Sequence, residues 1–157
     1  MIGDSDKVVY LDANFLVDWS VRKEPELRKR ARIFLAILSR SFDFLCFSPL
    51  TIDEFWKGIK IELAGRGASY SDEFVFLNLK IFTEKILSHK KMRVVQLQNP
   101  QKGIGQALTI LKEYALEPRD AFHLAIMRDN SINKIVTRDK DDFIKKQGLM
   151  GIQVVEI

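Results

Sequence analysis

Val8-Val9-Tyr10-Leu11-Asp12-Ala13-Asn14-Phe15-Leu16 is an apolar, partly β-branched run that ends on an acid and passes at once into a helical pattern. A strand feeding directly into a helix in this way is the unit of an α/β fold. The same alternation continues along the chain. Strands are expected near 8–12, 43–48, 92–97, 134–138 and 152–156, with helices near 13–20, 25–40, 51–65, 72–88, 104–115, 119–129 and 140–147. Short strands separated by whole helices predict a mainly parallel sheet. No repeat, low-complexity tract or linker interrupts the pattern, so residues 1–157 are expected to form one domain. Gly65-Arg66-Gly67-Ala68-Ser69 is the most loop-like stretch, followed by Asn99-Pro100-Gln101-Lys102-Gly103.

Four acids recur at places where such a sheet delivers side chains to one rim. In open α/β sheets the functional crevice lies beyond the carboxyl ends of the strands. Asp12 and Asp139 directly follow strand runs, and Glu54 is expected in the first turn of the helix after the second strand. Asp120 opens a helix that is apolar nearly all round, with Pro118 just ahead of it. Taken alone, Asp120 reads as an acid stabilised by the helix dipole. Four carboxylates in one cleft repel each other, and are stable only with raised pKa values or bound cations. Hard oxygen donors at that density suit magnesium or manganese.

Composition narrows the function classes. A hydrophobic share of 46% and a charged share of 29% belong to a soluble globular domain, which excludes a membrane-embedded protein. The polar N-terminal residues, from Met1 to Lys7, show no signal-peptide pattern, and a cytoplasmic location is expected. The single cysteine, Cys46, lies in an apolar run and reads as a buried, inert thiol. With 25 basic and 21 acidic residues the net charge is +4, a mild bias toward a polyanionic partner.

Together, Val9-Tyr10-Leu11-Asp12-Ala13-Asn14-Phe15-Leu16, Leu50-Thr51-Ile52-Asp53-Glu54-Phe55, Pro118-Arg119-Asp120-Ala121-Phe122-His123-Leu124-Ala125 and Val136-Thr137-Arg138-Asp139-Lys140-Asp141-Asp142-Phe143 resemble a PIN domain. The likeness is closest to the VapC-type toxin ribonucleases of VapBC toxin–antitoxin systems, and it runs through the whole chain in order. It implies a Rossmann-like α/β/α sandwich with a metal-dependent endoribonuclease site using Mg2+ or Mn2+, as one or two ions. Carried over, Asp12, Glu54, Asp120 and Asp139 form the acidic quartet, supported by Asn14 and Thr137. The family places a further acid in a Thr-x-Asp-x-Asp-Phe pattern. Here one extra residue leaves Asp141 and Asp142 competing for that place, with a slight lean to Asp142 because it precedes Phe143. The resemblance also implies an RNA substrate, a VapB-type antitoxin partner and a homodimer. The region from about 57 to 91 is longer than in the most compact toxins, which implies an extended helical flank where the antitoxin usually docks.

Lys57, Arg119, Arg138 and Lys140 flank the acids and are weak candidates for holding the RNA backbone; each also reads as a solvated charge. The basic run from Arg22 to Arg30 reads as a solvated loop and helix face. His123, three residues after Asp120, reads as a satisfied core histidine ahead of a metal ligand or proton shuttle. His89 reads as surface, and Trp19 and Trp56 as core or interface anchors. Phe74, Phe76, Leu77, Leu79, Ile81, Phe82 and Ile86 give one helix a face wider than a single helix buries, which suggests a dimer or partner surface.

Three other readings compete. A non-catalytic PIN-like RNA- or protein-binding module would fit the scaffold, although degenerate versions tend to lose the acids. A magnesium-dependent phosphatase or phosphotransferase would ask for a nucleophilic Asp-x-Asp or a glycine-rich phosphate loop after the first strand, and Asp12-Ala13-Asn14 supplies neither. A response-regulator-like acidic pocket would want a lysine after the last strand.

Overall fold

The computed structural model describes residues 7–156. The polar stretch read before the first strand lies almost entirely outside them. Five strands form one sheet: β1 (Val8–Leu11), β2 (Phe44–Phe47), β3 (Met92–Val94), β4 (Lys134–Val136) and β5 (Gln153–Val155). Their order is β3-β2-β1-β4-β5, and every pairing is parallel. The chain therefore winds outward from β1 to β3, then crosses back to place β4 on the other side of β1. That reversal opens a crevice at the carboxyl ends of β1 and β4.

Period-two alternation along the strands builds two cores. Val9, Leu11, Leu45 and Phe47 face α1 (Ala13–Ser20), α2 (Pro25–Ser41), α3 (Pro49–Ala64) and α4 (Glu73–Ser88). Val8, Tyr10 and Cys46 face the other way, toward α5 (Pro100–Tyr114) and α6 (Pro118–Asp129), with α7 (Gln147–Met150) at the edge of the same layer. The result is the parallel sheet expected from the alternation, in the α/β/α sandwich that the resemblance implied. Burial pushes the Cys46 thiol up to about 12, which keeps it protonated and unreactive. No helix among the described residues is long and apolar enough to cross a membrane.

Several boundaries differ from expectation for local reasons. The stretch from Asn99 to Gly103 is not a loop but the start of α5. Asn99 caps it by accepting from the Lys102 N–H, and Pro100 occupies the first turn where no N–H is needed. Gly103 lets Leu97 pack against this turn, since an added Cβ would lie 2.5 Å from Leu97 Cδ1. Likewise α3 begins at Pro49, under a capping box between Ser48 and Thr51, so Glu54 lies in its second turn rather than its first. The expected helix at 140–147 is a single π-helical turn, Lys140–Ile144, separated from α7. Pairing in β3 ends at Val94, short of the expected 97.

Candidate metal centre

Each acid reaches the crevice by a different local device. Asp12 follows β1 and caps α1: its Oδ1 accepts from the Ala13 N–H at 2.6 Å. Its Oδ2 accepts from Asn14 Nδ2 at 2.7 Å and from the Thr137 hydroxyl at 2.6 Å. Asn14 Nδ2 also reaches Thr137 Oγ1, while Asn14 Oδ1 accepts from the Arg138 N–H. Thus Asn14 and Thr137 lace the ends of β1 and β4 together around one carboxylate. Asp139 follows β4 and caps the π-helical turn, its Oδ1 accepting from the N–H groups of Asp141 and Asp142 at 3.0 and 2.8 Å. Asp120 sits in the first turn of α6, and Glu54 projects from α3.

Two groups of ligand-type atoms result, each with its atoms within 4.8 Å of one another: Asp12, Glu54 and His123, and Asp120, Asp139 and Asp142. Asp141 and Asp142, between which the sequence left the further acid open, point to different surroundings. The Asp141 side chain is 85% exposed and paired with Lys145. Asp142, at 16%, turns toward Asp120 and is held from outside by Lys146 at 2.7 Å.

The electrostatics are those of a crowded acidic cleft. Burial, the hydrogen bond to Asp142 and the charges of Asp139, Asp142 and Asp12 push Asp120 up to about 7. Burial also raises Asp12, against the pull of His123 and the Thr137 hydrogen bond. Burial would raise Glu54 too, but His123 and Arg119 outweigh it and hold the carboxyl below its usual range. For Asp142 the Lys146 ammonium and the proton shared by Asp120 overcome burial and lower it. Carboxylates forced to keep protons near neutral pH form a site that gains by taking up cations. The donors present fit a divalent ion bound mainly through oxygen.

His123 is the site residue that sequence reasoning placed elsewhere. It is buried as expected, but its Nε2 faces Glu54 Oε2 at 3.3 Å, and its Nδ1 meets the Tyr10 hydroxyl at 2.8 Å. A signal was available: on a helix, positions i and i+3 share a face, so His123 lies beneath Asp120.

The flanking cations are not equivalent. Arg119 spans Asp53 and Glu54, 3.5 Å from each. The Arg138 guanidinium turns away from the crevice onto the fully buried Asp18, with Nε 2.5 Å from Oδ2. Asp18 also takes Arg22 at 2.6 Å, and Arg22 pairs with Glu62 as well, so Arg22 is not the solvated charge expected. Lys57 and Lys140 are exposed.

Fold and site together define an α/β protein with an acidic centre at the reversal of a parallel sheet. The PIN domain family model matches residues 9–149, and the chain belongs to that family. Solved structures share its fold. The Mycobacterium tuberculosis toxin VapC20, described as cleaving the sarcin–ricin loop, is 16% identical with a TM-score of 0.63, over 92% of this chain and 96% of that one. A toxin–antitoxin complex from Klebsiella pneumoniae is 21% identical with a TM-score of 0.63, over 95% and 99% of the two chains. VapBC2 from Rickettsia felis, bound to a promoter DNA fragment, is 16% identical with a TM-score of 0.62, over 95% and 98%. No curated protein matches the chain.

Proposed function

We propose that this chain is a metal-dependent endoribonuclease, and the toxin half of a toxin–antitoxin pair. The observation that carries the reading is the convergence of Asp12, Glu54, Asp120, Asp139 and Asp142 from separate segments onto one rim, with Asp120 pushed up to about 7 by its neighbours. Family membership supports a nuclease, and the VapC-like neighbours support an antitoxin partner.

Phosphodiester hydrolysis needs an activated water and charge relief on the phosphate oxygens, and one or two Mg2+ or Mn2+ ions would supply both. Asp12 and Asp139 would hold an ion directly, and Asp120 directly or through water. Glu54 would share an ion with Asp12, their ligand atoms lying within 4.8 Å of each other, or orient the attacking water. Asn14 and Thr137 fix the Asp12 carboxylate so that little reorganisation accompanies binding. Asp142 takes the place of the further acid. Lys57 and Lys140 line the approach of the RNA backbone. Arg119 would steer it while steadying Glu54, and Arg138 serves the scaffold through Asp18.

The exposed apolar face of α4 fits an antitoxin or a second protomer. Phe74 and Phe76 are 59% and 58% exposed. Beside them Trp56, Tyr70, Phe76 and Leu79 line a groove of about 520 Å³ between α3 and α4. The same face favours, as a second reading, a non-catalytic module that binds a protein partner. Incubating purified protein with a panel of structured and single-stranded RNAs, beside Asp12→Asn, tests the assignment. Cleavage by the wild type and none by the folded variant is expected; turnover retained in the variant would sink it. Mn2+ binding without cleavage of any RNA would favour the binding module.

A further inference from the structure

The two groups of candidate ligands are chemically unlike. Asp120, Asp139 and Asp142 offer only oxygen and are partly exposed, whereas Asp12 and Glu54 share theirs with the imidazole of His123, a residue only 1% exposed. The Tyr10 hydroxyl carries one proton and stands 2.7 Å from Ser48 Oγ, in a geometry that makes Tyr10 the donor. Thr51 Oγ1 lies 3.0 Å away in the same buried pocket. With the Tyr10 proton committed to Ser48, the 2.8 Å contact to His123 needs Nδ1 to carry the hydrogen. The other ring nitrogen, Nε2, faces the Glu54 carboxylate at 3.3 Å. Either a proton or a cation lies between that nitrogen and the carboxylate, and an ion bound there takes the proton's place. An imidazole whose other N–H is held by a buried group is also how metal-binding histidines are oriented.

We propose, resting on the metal-centre reading above, that His123 Nε2 is a ligand of the ion held by Asp12 and Glu54. This nitrogen makes the inner subsite select a transition-series ion such as Mn2+ over Mg2+. Imidazole is a poor donor for magnesium, which prefers oxygen and retains its waters, but an ordinary one for first-row transition ions. The outer group, having oxygen donors only, shows no such preference. Tyr10 and Ser48 are positioning residues, acting through the ring.

The test is pulsed EPR of the full chain loaded with Mn2+, with and without 15N-labelled histidine, alongside Mn2+ and Mg2+ titrations. The expected result is coupling to a directly bound nitrogen that changes with the label. In His123→Gln that coupling is lost and Mn2+ binding weakens about tenfold or more, while Mg2+ binding changes by less than about threefold. Tyr10→Phe should retain the coupling with a smaller loss of Mn2+ affinity, which a purely structural role for the ring would not produce. Absence of nitrogen coupling in the Mn2+-loaded wild type overturns the proposal, and does so even if His123→Gln fails to fold. Equal losses of Mn2+ and Mg2+ in a folded His123→Gln overturn it too. Asp12→Asn separates the two levels: undiminished Mn2+ binding there contradicts the metal-centre reading itself. Lost binding in that variant, with no nitrogen signal in the wild type, contradicts only the role of His123.

Discussion

Asp120 holds a proton in the folded, metal-free chain up to about 7, whereas its ordinary value is 3.8. Between those values the native state binds more protons than the unfolded state, so stability falls as pH rises through that window. Asp12, also raised, acts in the same sense. Asp142 and Glu54 are lowered, so their contribution is lost only on further acidification below the ordinary carboxylate range. The metal-free protein should therefore melt at a lower temperature at pH 8 than at pH 5, and Asp120→Asn should flatten the profile. Saturating Mg2+ should abolish the decline. A thermal melt followed by circular dichroism decides it, and a flat wild-type profile would contradict the crowded-acid account.

At this scale Asp12, Asp120 and Asp139 stood out because each follows a strand run or opens a helix, positions the chain itself marks, whereas Glu54 lies a turn deeper in α3 than expected. Asp141 and Asp142 were indistinguishable until the π-helical turn sent one to solvent and the other toward Asp120. His123 was read as core because its partners, Tyr10 and Glu54, lie 113 and 69 residues away.

Among the elements, the contact of α1 with α3 matters most, since these helices carry Asn14 and Glu54. Gly58 sits at their closest approach, where an added Cβ would lie 2.4 Å from Val17 Cγ2. Gly58→Ala should destabilise the fold by about 1–3 kcal/mol through overpacking, offset only in part by the better helix propensity of alanine. Urea unfolding measures it, and an unchanged midpoint would mean the two helices separate freely. The existence of α1 to α6 was readable from periodicity, whereas the helix expected at 140–147 is a π-helical turn followed by the short α7. Starts were less so: Asn99-Pro100 and Ser48-Pro49 look like loop sequence, yet each is a cap followed by a proline suited to a first turn.

For the molecule as a whole, the strand–helix alternation predicted a parallel sheet, but the β3-β2-β1-β4-β5 order comes from long-range pairing that no local pattern encodes. That order places β1 beside β4, and so brings Asp12 within reach of Thr137 and Asp139. On α4, which packs against α3, the wide apolar face leaves Phe74, Phe76 and Leu77 exposed. Phe76→Asp should leave RNA cleavage unchanged and weaken capture of an antitoxin-type partner by about tenfold or more, as loss of an aromatic anchor does. Unchanged capture in a pull-down would place the partner elsewhere.

The most direct test of the central claim is a single cleavage reaction followed in time on an RNA panel, with EDTA added midway and excess Mn2+ afterwards. The account predicts that cutting stops with EDTA, resumes with Mn2+, and never begins in Asp139→Asn. Cutting that continues through EDTA, or that proceeds in the variant at the wild-type rate, would contradict a metal centre at the carboxyl edge of the sheet.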